Sequence, residues 1–322
     1  MNSLEDKNPL YVDFFFMKLL LAKPRGFCAG VERAIQTVEK ALELFGAPLY
    51  VKHQIVHNRH VVKRLEDLGA IFIEDLREVP IGARVVYSAH GIAPEVRKEA
   101  EKRSLIEIDA TCGLVTRVHS AAKRYAAKGY QILLIGHRNH VEVIGTAGEA
   151  PDVTTIIETV ADVHKLSFTK EDKLFYLTQT TLSLDDVQEI AEALLLRYPQ
   201  IETLPTSSIC YATTNRQMAL KEISIEADLI LVIGDPLSSN SNRLREVGER
   251  LGTPSYLINS AEEIDPSWLK NVKTIGLTAG ASTPEDVVQA CIAALHRYGV
   301  QETQEITYTE EEVVFQLPKF SM

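Results

Sequence analysis

The chain has 322 residues, 45% of them hydrophobic and 24% charged, with a formal net charge of -10 at pH 7, enough apolar material for a buried core in a soluble globular protein of one to three domains. The acidic average excludes a broad nucleic-acid surface, which needs basic stripes, although a local pocket of donors can still take a small anion. Four cysteines spread over so long a chain exclude a secreted disulfide framework and point to a reducing, cytoplasmic setting in which metal binding is the open alternative.

Residues 1–17 read as an N-terminal leader: MNSLEDKNPLYVDFFF carries acidic groups and lacks the basic start, apolar core and small-residue cleavage site of an export signal, and Met17 is a candidate natural start. The apolar stretch 14–22 is too short to cross a bilayer and runs into a buried strand at 18–22, so no membrane partner is expected. Strand-like runs then alternate with helical patterns: helix 31–45, strand 84–87, helix 94–102, and strands 105–108, 132–135, 201–204, 229–233 and 274–277. Such alternation predicts parallel-type sheets covered by helices, and the unbroken apolar runs at 229–233 and 274–277 suit strands buried on both faces. The tail after Val300 is charged, then apolar at 313–317, and is expected to pack back as a strand or arm.

Cys28, Cys112 and Cys210 share one local setting: an apolar run, a short polar turn, the cysteine, then a helix-like stretch. Each should meet a helix N-terminus, where aligned amides favour thiolate. A second polar cluster follows each at nearly the same distance (His57, His140, Ser238), and a third comes later (His90, Thr180, Ser282). The recurrence predicts three pseudo-threefold-related α/β units, 18–111, 112–208 and 209–299, with an arm at 300–322, around one central site. In parallel sheets ligands meet the loops at the carboxyl ends of strands, and every cluster named occupies such an end.

Three cysteines without a fourth could ligate zinc together with a histidine, or an iron-sulfur cluster that normally takes four thiolates. A cluster with three protein ligands leaves one iron open as a Lewis acid and electron donor for a substrate oxygen. Cys291 lies in an apolar helical run and reads as core. His57, His90 and His140 follow strands and can donate to phosphate oxygens; Ser238, Ser239, Asn240 and Ser282 add hydroxyl and amide donors, although Ser282 with Thr283 also reads as a helix cap. With few Lys or Arg among them, these clusters suit a compact diphosphate. Glu142 lies two residues beyond His140, so on an extended loop both side chains face one way, and its carboxyl could deliver a proton to a leaving hydroxyl. Thr180 and Thr181 could relay that proton or orient the hydroxyl.

Taken together, PRGFCAGV, HNR, SAHG, DATC, the spaced GH, H and E of GHRNHVE, TQTTLS, ICYATTNRQ, SSNSNR and TAGAS closely resemble the LytB family of hydroxymethylbutenyl diphosphate reductases, from about Lys18 to the C-terminal tail. The resemblance implies a trefoil of three α/β units around a [4Fe-4S] cluster. It implies reductive dehydroxylation of 4-hydroxy-3-methylbut-2-enyl diphosphate to isopentenyl and dimethylallyl diphosphates, the last step of the non-mevalonate isoprenoid route, with ferredoxin or flavodoxin as electron donor. Carried over by position, Cys28, Cys112 and Cys210 become the cluster ligands. His57, His90, His140, Thr181, Ser238, Ser239, Asn240 and Ser282 become the substrate contacts, Glu142 the proton source and Thr180 its neighbour at the hydroxyl. The chain departs from the family pattern at Gly113 and Val141, where prolines are usual, and at Ile144, where glutamate is common; each lost proline is expected to loosen its loop by about 1 kcal/mol at most. The two rival classes are a zinc hydrolase with Glu142 as base and a non-catalytic iron-sulfur sensor.

Overall fold

The computed structural model describes residues 16–320; residues 1–15, most of the expected leader, lie outside the described residues. Strand β1 (Met17–Lys23) leads through the Cys28 loop into helix α1 (Ala29–Phe45), followed by β2 (Leu49–Lys52), α2 (Arg59–Asp67), β3 (Ala70–Ile73), β4 (Arg84–Tyr87), α3 (Pro94–Lys102) and β5 (Ile106–Asp109). Beyond Cys112 come α4 (Gly113–Ala126), β6 (Gln131–Ile135), α5 (Val141–Gly148), β7 (Thr154–Ile157), α6 (Val160–Lys165), β8 (Leu174–Thr178), α7 (Leu184–Arg197) and β9 (Glu202–Thr203). Beyond Cys210 come α8 (Tyr211–Ser224), β10 (Leu229–Ile233), α9 (Ser239–Arg250), β11 (Ser255–Ile258), β12 (Thr274–Ala279), α10 (Glu285–Arg297) and β13 (Val300–Thr307).

These strands form three sheets, ordered β3-β2-β4-β5, β7-β6-β8-β9 and β11-β10-β12-β1-β13, and every pairing is parallel. Parallel strands need crossovers, and the helices supply them while covering both faces. In β6, Leu133 and Ile135 enter one apolar cluster while Ile132 and Leu134 enter another; in β10, Leu229, Leu231 and Ile233 separate from Ile230 and Val232 in the same way. The period-two alternation therefore feeds a core on each side of each sheet, which explains the continuous apolar runs.

One boundary differs from the expected units. β1 pairs with β12, Leu19 opposite Ile275 and Leu21 opposite Leu277, so residues 18–23 belong to the third sheet and not to the first unit. Pairing there buries Leu19, Leu20 and Ala22 between two sheet neighbours, β12 and β13. As a result each cysteine lies at the passage from one sheet to the next. The run 201–204 also shortens to two paired residues, because Pro205 follows without an amide hydrogen and Glu202 and Thr203 are exposed on the sheet edge. The tail forms its strand in the charged part, Val300–Thr307, against β1; the apolar stretch 313–317 has no regular structure. An edge strand tolerates exposed charges, which also block further pairing.

Candidate active site

All three cysteines are N-caps: Cys28 of α1, Cys112 of α4 and Cys210 of α8. Short turns after β1, β5 and β9 deliver them, and the backbone at Cys28 and Cys112 is tied across to neighbouring strand ends, Cys28 N donating to Ala281 O at 3.3 Å and Cys112 N to Ala89 O at 3.0 Å. Cys210 Sγ accepts from Thr213 N at 3.3 Å and lies 3.1 Å from Thr213 Oγ1. The three sulfurs line one cavity of about 750 Å³, counted with its open mouth, a size typical of small-molecule sites.

The expected thiolate bias is overridden at Cys112 and Cys210. Burial, followed by repulsion from Cys28, pushes Cys112 up to about 11 and Cys210 up to about 12. Gathering sulfurs in an apolar recess penalises their charge until a cation compensates it, which is the electrostatic demand of a metal site. Gly30 shows how tightly the recess is drawn: a methyl group there would sit 2.6 Å from Cys112 Sγ and 3.9 Å from Cys28 Sγ. Among the described residues no three His, Cys, Asp or Glu side chains come close enough to share a single metal ion.

A second wall of the cavity is a cluster of donors. His57 and His90 stack with ring centroids 4.4 Å apart, and His140 meets them edge-on at 6.0 and 5.9 Å. Burial lowers all three: His57 below its ordinary value, His90 well below it with His57 adding to the effect, and His140 to about 4. A neutral trio beside empty space is poised to accept an anion. Gln54 Oε1 lies 3.1 Å from His57 Nδ1, and His140 Nδ1 accepts from Glu142 N at 3.2 Å, which leaves the His140 Nε2 hydrogen for a ligand.

Ser238, Ser239, Asn240 and Ser282 complete that wall at the carboxyl ends of β10 and β12. Ser238 caps α9 by accepting from Ser241 N at 3.3 Å, whereas Ser282 caps nothing: the cap of α10 is Pro284, and Ser282 Oγ donates to His57 O at 2.9 Å. The capping reading of Ser282 and Thr283 is therefore replaced by other bonds: Ser282 reaches across to the loop after β2, and Thr283 Oγ1 donates to Ile233 O within its own sheet. No Lys or Arg among the described residues lines the cavity.

Glu142 departs from its expected setting. It lies in the first turn of α5, capped by His140, and not on an extended loop. Its side chain is buried, and Thr180 grips both oxygens: Thr180 N donates to Oε1 at 2.6 Å and Thr180 Oγ1 to Oε2 at 2.9 Å. Burial outweighs those two donors and raises the carboxyl to about 7. Thr181 also lines the cavity and accepts from Gln179 Nε2 at 3.0 Å through its hydroxyl. Val141 and Gly113 occupy first helical positions, and the preceding His140 (φ -77°, ψ 136°) and Cys112 (φ -57°, ψ 135°) have the extended backbone that a following proline requires. The loops thus keep a proline-compatible path.

The structure brings every expected site residue to this one cavity. It adds residues that no expectation assigned a role. Gln179, inside TQTT, accepts from His137 N at 3.1 Å and links Thr181 to Ser239. Thr213, inside ICYATTNRQ, contacts Cys210 and Asn240. His119 wedges between Gly91, beside His90, and Gly145 of α5, with Nδ1 3.1 Å from Glu149; it occupies an ordinary core position of α4 and carries no sequence signal.

A family model described as LytB protein matches residues 19–296. The 4-hydroxy-3-methylbut-2-enyl diphosphate reductase of Protochlamydia amoebophila is 70% identical over 303 residues, covering 94% of this chain and 97% of that one. The protein of the same name from Chlamydia pneumoniae is 63% identical, covering 94% and 98%. Among solved structures, the E-1-hydroxy-2-methyl-but-2-enyl-4-diphosphate reductase of Plasmodium falciparum superposes with a TM-score of 0.92 at 49% identity, covering 94% and 96% of the two chains.

Proposed function

The chain belongs to the LytB family, and on that premise we propose that it is the reductase that converts 4-hydroxy-3-methylbut-2-enyl diphosphate to isopentenyl and dimethylallyl diphosphates, the terminal step of the non-mevalonate pathway. The observation that carries the site reading is one cavity in which three sulfurs, three neutral histidines and a buried carboxyl gripped by Thr180 meet from three sheets.

Cys28, Cys112 and Cys210 would hold a [4Fe-4S] cluster, which when bound supplies electrons and an open iron for the substrate oxygen. The diphosphate is taken by His57, His90, His140, Ser238, Ser239, Asn240 and Ser282, whose neutral donors need no lysine clamp. Glu142, half protonated near neutrality, gives its proton to the allylic hydroxyl, which leaves as water as the C–O bond breaks. Thr180 N and Oγ1 then hold the carboxylate that remains. Two electrons and a second proton, delivered to either end of the allylic fragment, complete the balance and account for two products. Electrons come from a ferredoxin or flavodoxin. Among the described residues no helix is long and apolar enough to cross a membrane.

Anaerobically purified protein, assayed with a chemical reductant and the hydroxy diphosphate, tests the reading. Iron and sulfide with both products are expected; zinc in their place would favour the hydrolase, and a cluster without turnover the sensor.

A further inference from the structure

Residues 308–320, the arm after β13, run without regular structure past the start of each cysteine-capped helix. Glu311 accepts from Arg216 Nη1 at 3.0 and 3.2 Å and from Asn215 Nδ2 at 3.0 Å, both on α8. Phe315 lays its ring 3.5 Å from where a side chain on Gly113 would begin, at the first residue of α4. The Gln316 carbonyl accepts from Arg33 Nε of α1 at 2.7 Å. One segment therefore touches all three helices.

These contacts pass directly to the sulfur-bearing loops. Arg216 is wholly buried, donating through Nε and Nη2 to Gly26 O at 3.0 and 2.8 Å and through Nη2 to Phe27 O at 3.1 Å, the two carbonyls just before Cys28. Arg33 donates to Thr111 O at 3.0 Å, just before Cys112. A buried guanidinium is held in place by its counter-charge, and Glu311 is the carboxylate paired with Arg216.

We propose that the C-terminal arm positions the cysteine ligands: Glu311 acting through Arg216 holds Cys28 and Cys210 in register, and Phe315 covers the Cys112 turn. The positioning role rests on the reading that these cysteines carry a cluster. Glu311 and Phe315 are positioning residues, since neither lines the cavity. Phe315 packs where Gly113 presents no side chain.

The test compares the full chain with Glu311→Gln, Phe315→Ala and Phe315→Leu. Three rates or signals are read: bleaching of cluster absorption in air, the electron paramagnetic resonance of the reduced cluster, and thiol labelling of the metal-free proteins, alongside melting temperature. Glu311→Gln and Phe315→Ala should bleach and label about tenfold faster with an altered resonance, as expected when about 1.4 kcal/mol of local restraint is lost, and Phe315→Leu should restore the parent rates. Parent-like rates in both variants, or changes that merely track a lower melting temperature, would overturn the proposal. A parent chain that takes up no cluster overturns the functional reading instead, while labelling of the metal-free proteins still decides the arm.

Discussion

Thr180 holds Glu142 at both oxygens, from its amide at 2.6 Å and its hydroxyl at 2.9 Å, across the gap between β8 and α5. The grip fixes a carboxyl that burial would otherwise keep neutral, and it makes the pair a single acid unit. Replacing Glu142 by Gln keeps volume and hydrogen bonding but removes the transferable proton. Turnover should fall by about 100-fold to 10,000-fold while the cluster spectrum persists. Thr180→Val keeps the amide donor and should cost about tenfold, from one lost hydrogen bond to a charged group. Steady-state assays of reconstituted protein decide both, and full activity in Glu142→Gln would remove it as the acid.

Glu142 sets a pH window. With its carboxyl raised to about 7 from 4.5, its protonated form, and with it kcat, declines as pH rises through about 7. The same shift stabilises the fold below 4.5 and loses that contribution as pH climbs through 7, since the folded protein binds more protons there. His140, lowered to about 4 from 6.5, acts oppositely: its contribution is present above 6.5 and lost as pH falls through 4. Denaturant unfolding of metal-free Glu142→Gln should lack the decline between 4.5 and 7 that the parent shows.

Gly30 offers a test of the sulfur cradle that leaves every ligand in place. In metal-free protein the Cys112 thiol can rotate away from a methyl at position 30, and alanine in a helix gains up to about 1 kcal/mol over glycine. Gly30→Ala should therefore melt no lower than the parent when metal-free yet retain little iron, because the rotated sulfur no longer faces the cavity. Parent-like iron and sulfide content would refute the cradle.

His57 and His90 stack 4.4 Å apart on the lining of the cavity proposed to take the diphosphate. His57→Ala should raise KM for the substrate and the inhibition constant of inorganic pyrophosphate by a similar factor, about tenfold, with the cluster spectrum unchanged. A fall in kcat with KM unaltered would move His57 from binding to chemistry.

Val141 is the first residue of α5, and the preceding His140 has the extended backbone that suits a following proline. Val141→Pro should raise the free energy of unfolding by about 0.5 kcal/mol without loss of activity, read from denaturant curves.

Much of the site was legible in the chain. The turn-cysteine-helix pattern correctly marked three N-caps, and the clusters after strands correctly marked loops at carboxyl ends, because both signals are local: a cap is a choice of residue at one position, and a buried parallel strand is an unbroken apolar run. The type and neighbourhood of Glu142 point to the cavity it lines but not to its backbone, since the four residues after His140 contain nothing that separates a loop from the first turn of a short helix. His119 and Arg216 were invisible as participants, because a buried polar side chain on a helix declares its partner only once another element packs against it.

The sequence alone determined which atoms are available: three soft thiolate donors, neutral hydrogen-bond donors in place of lysines, one carboxyl, and an alternating α/β pattern to present them. Tertiary structure decided where they meet. It placed β1 in the third sheet, turned each cysteine into a bridge between sheets, and drew the C-terminal arm across all three caps. It also reversed the expected thiolate bias at Cys112 and Cys210 and raised Glu142, because a charge's cost depends on the water that packing removes, and desolvation is a property of the assembled fold that no stretch of chain possesses by itself.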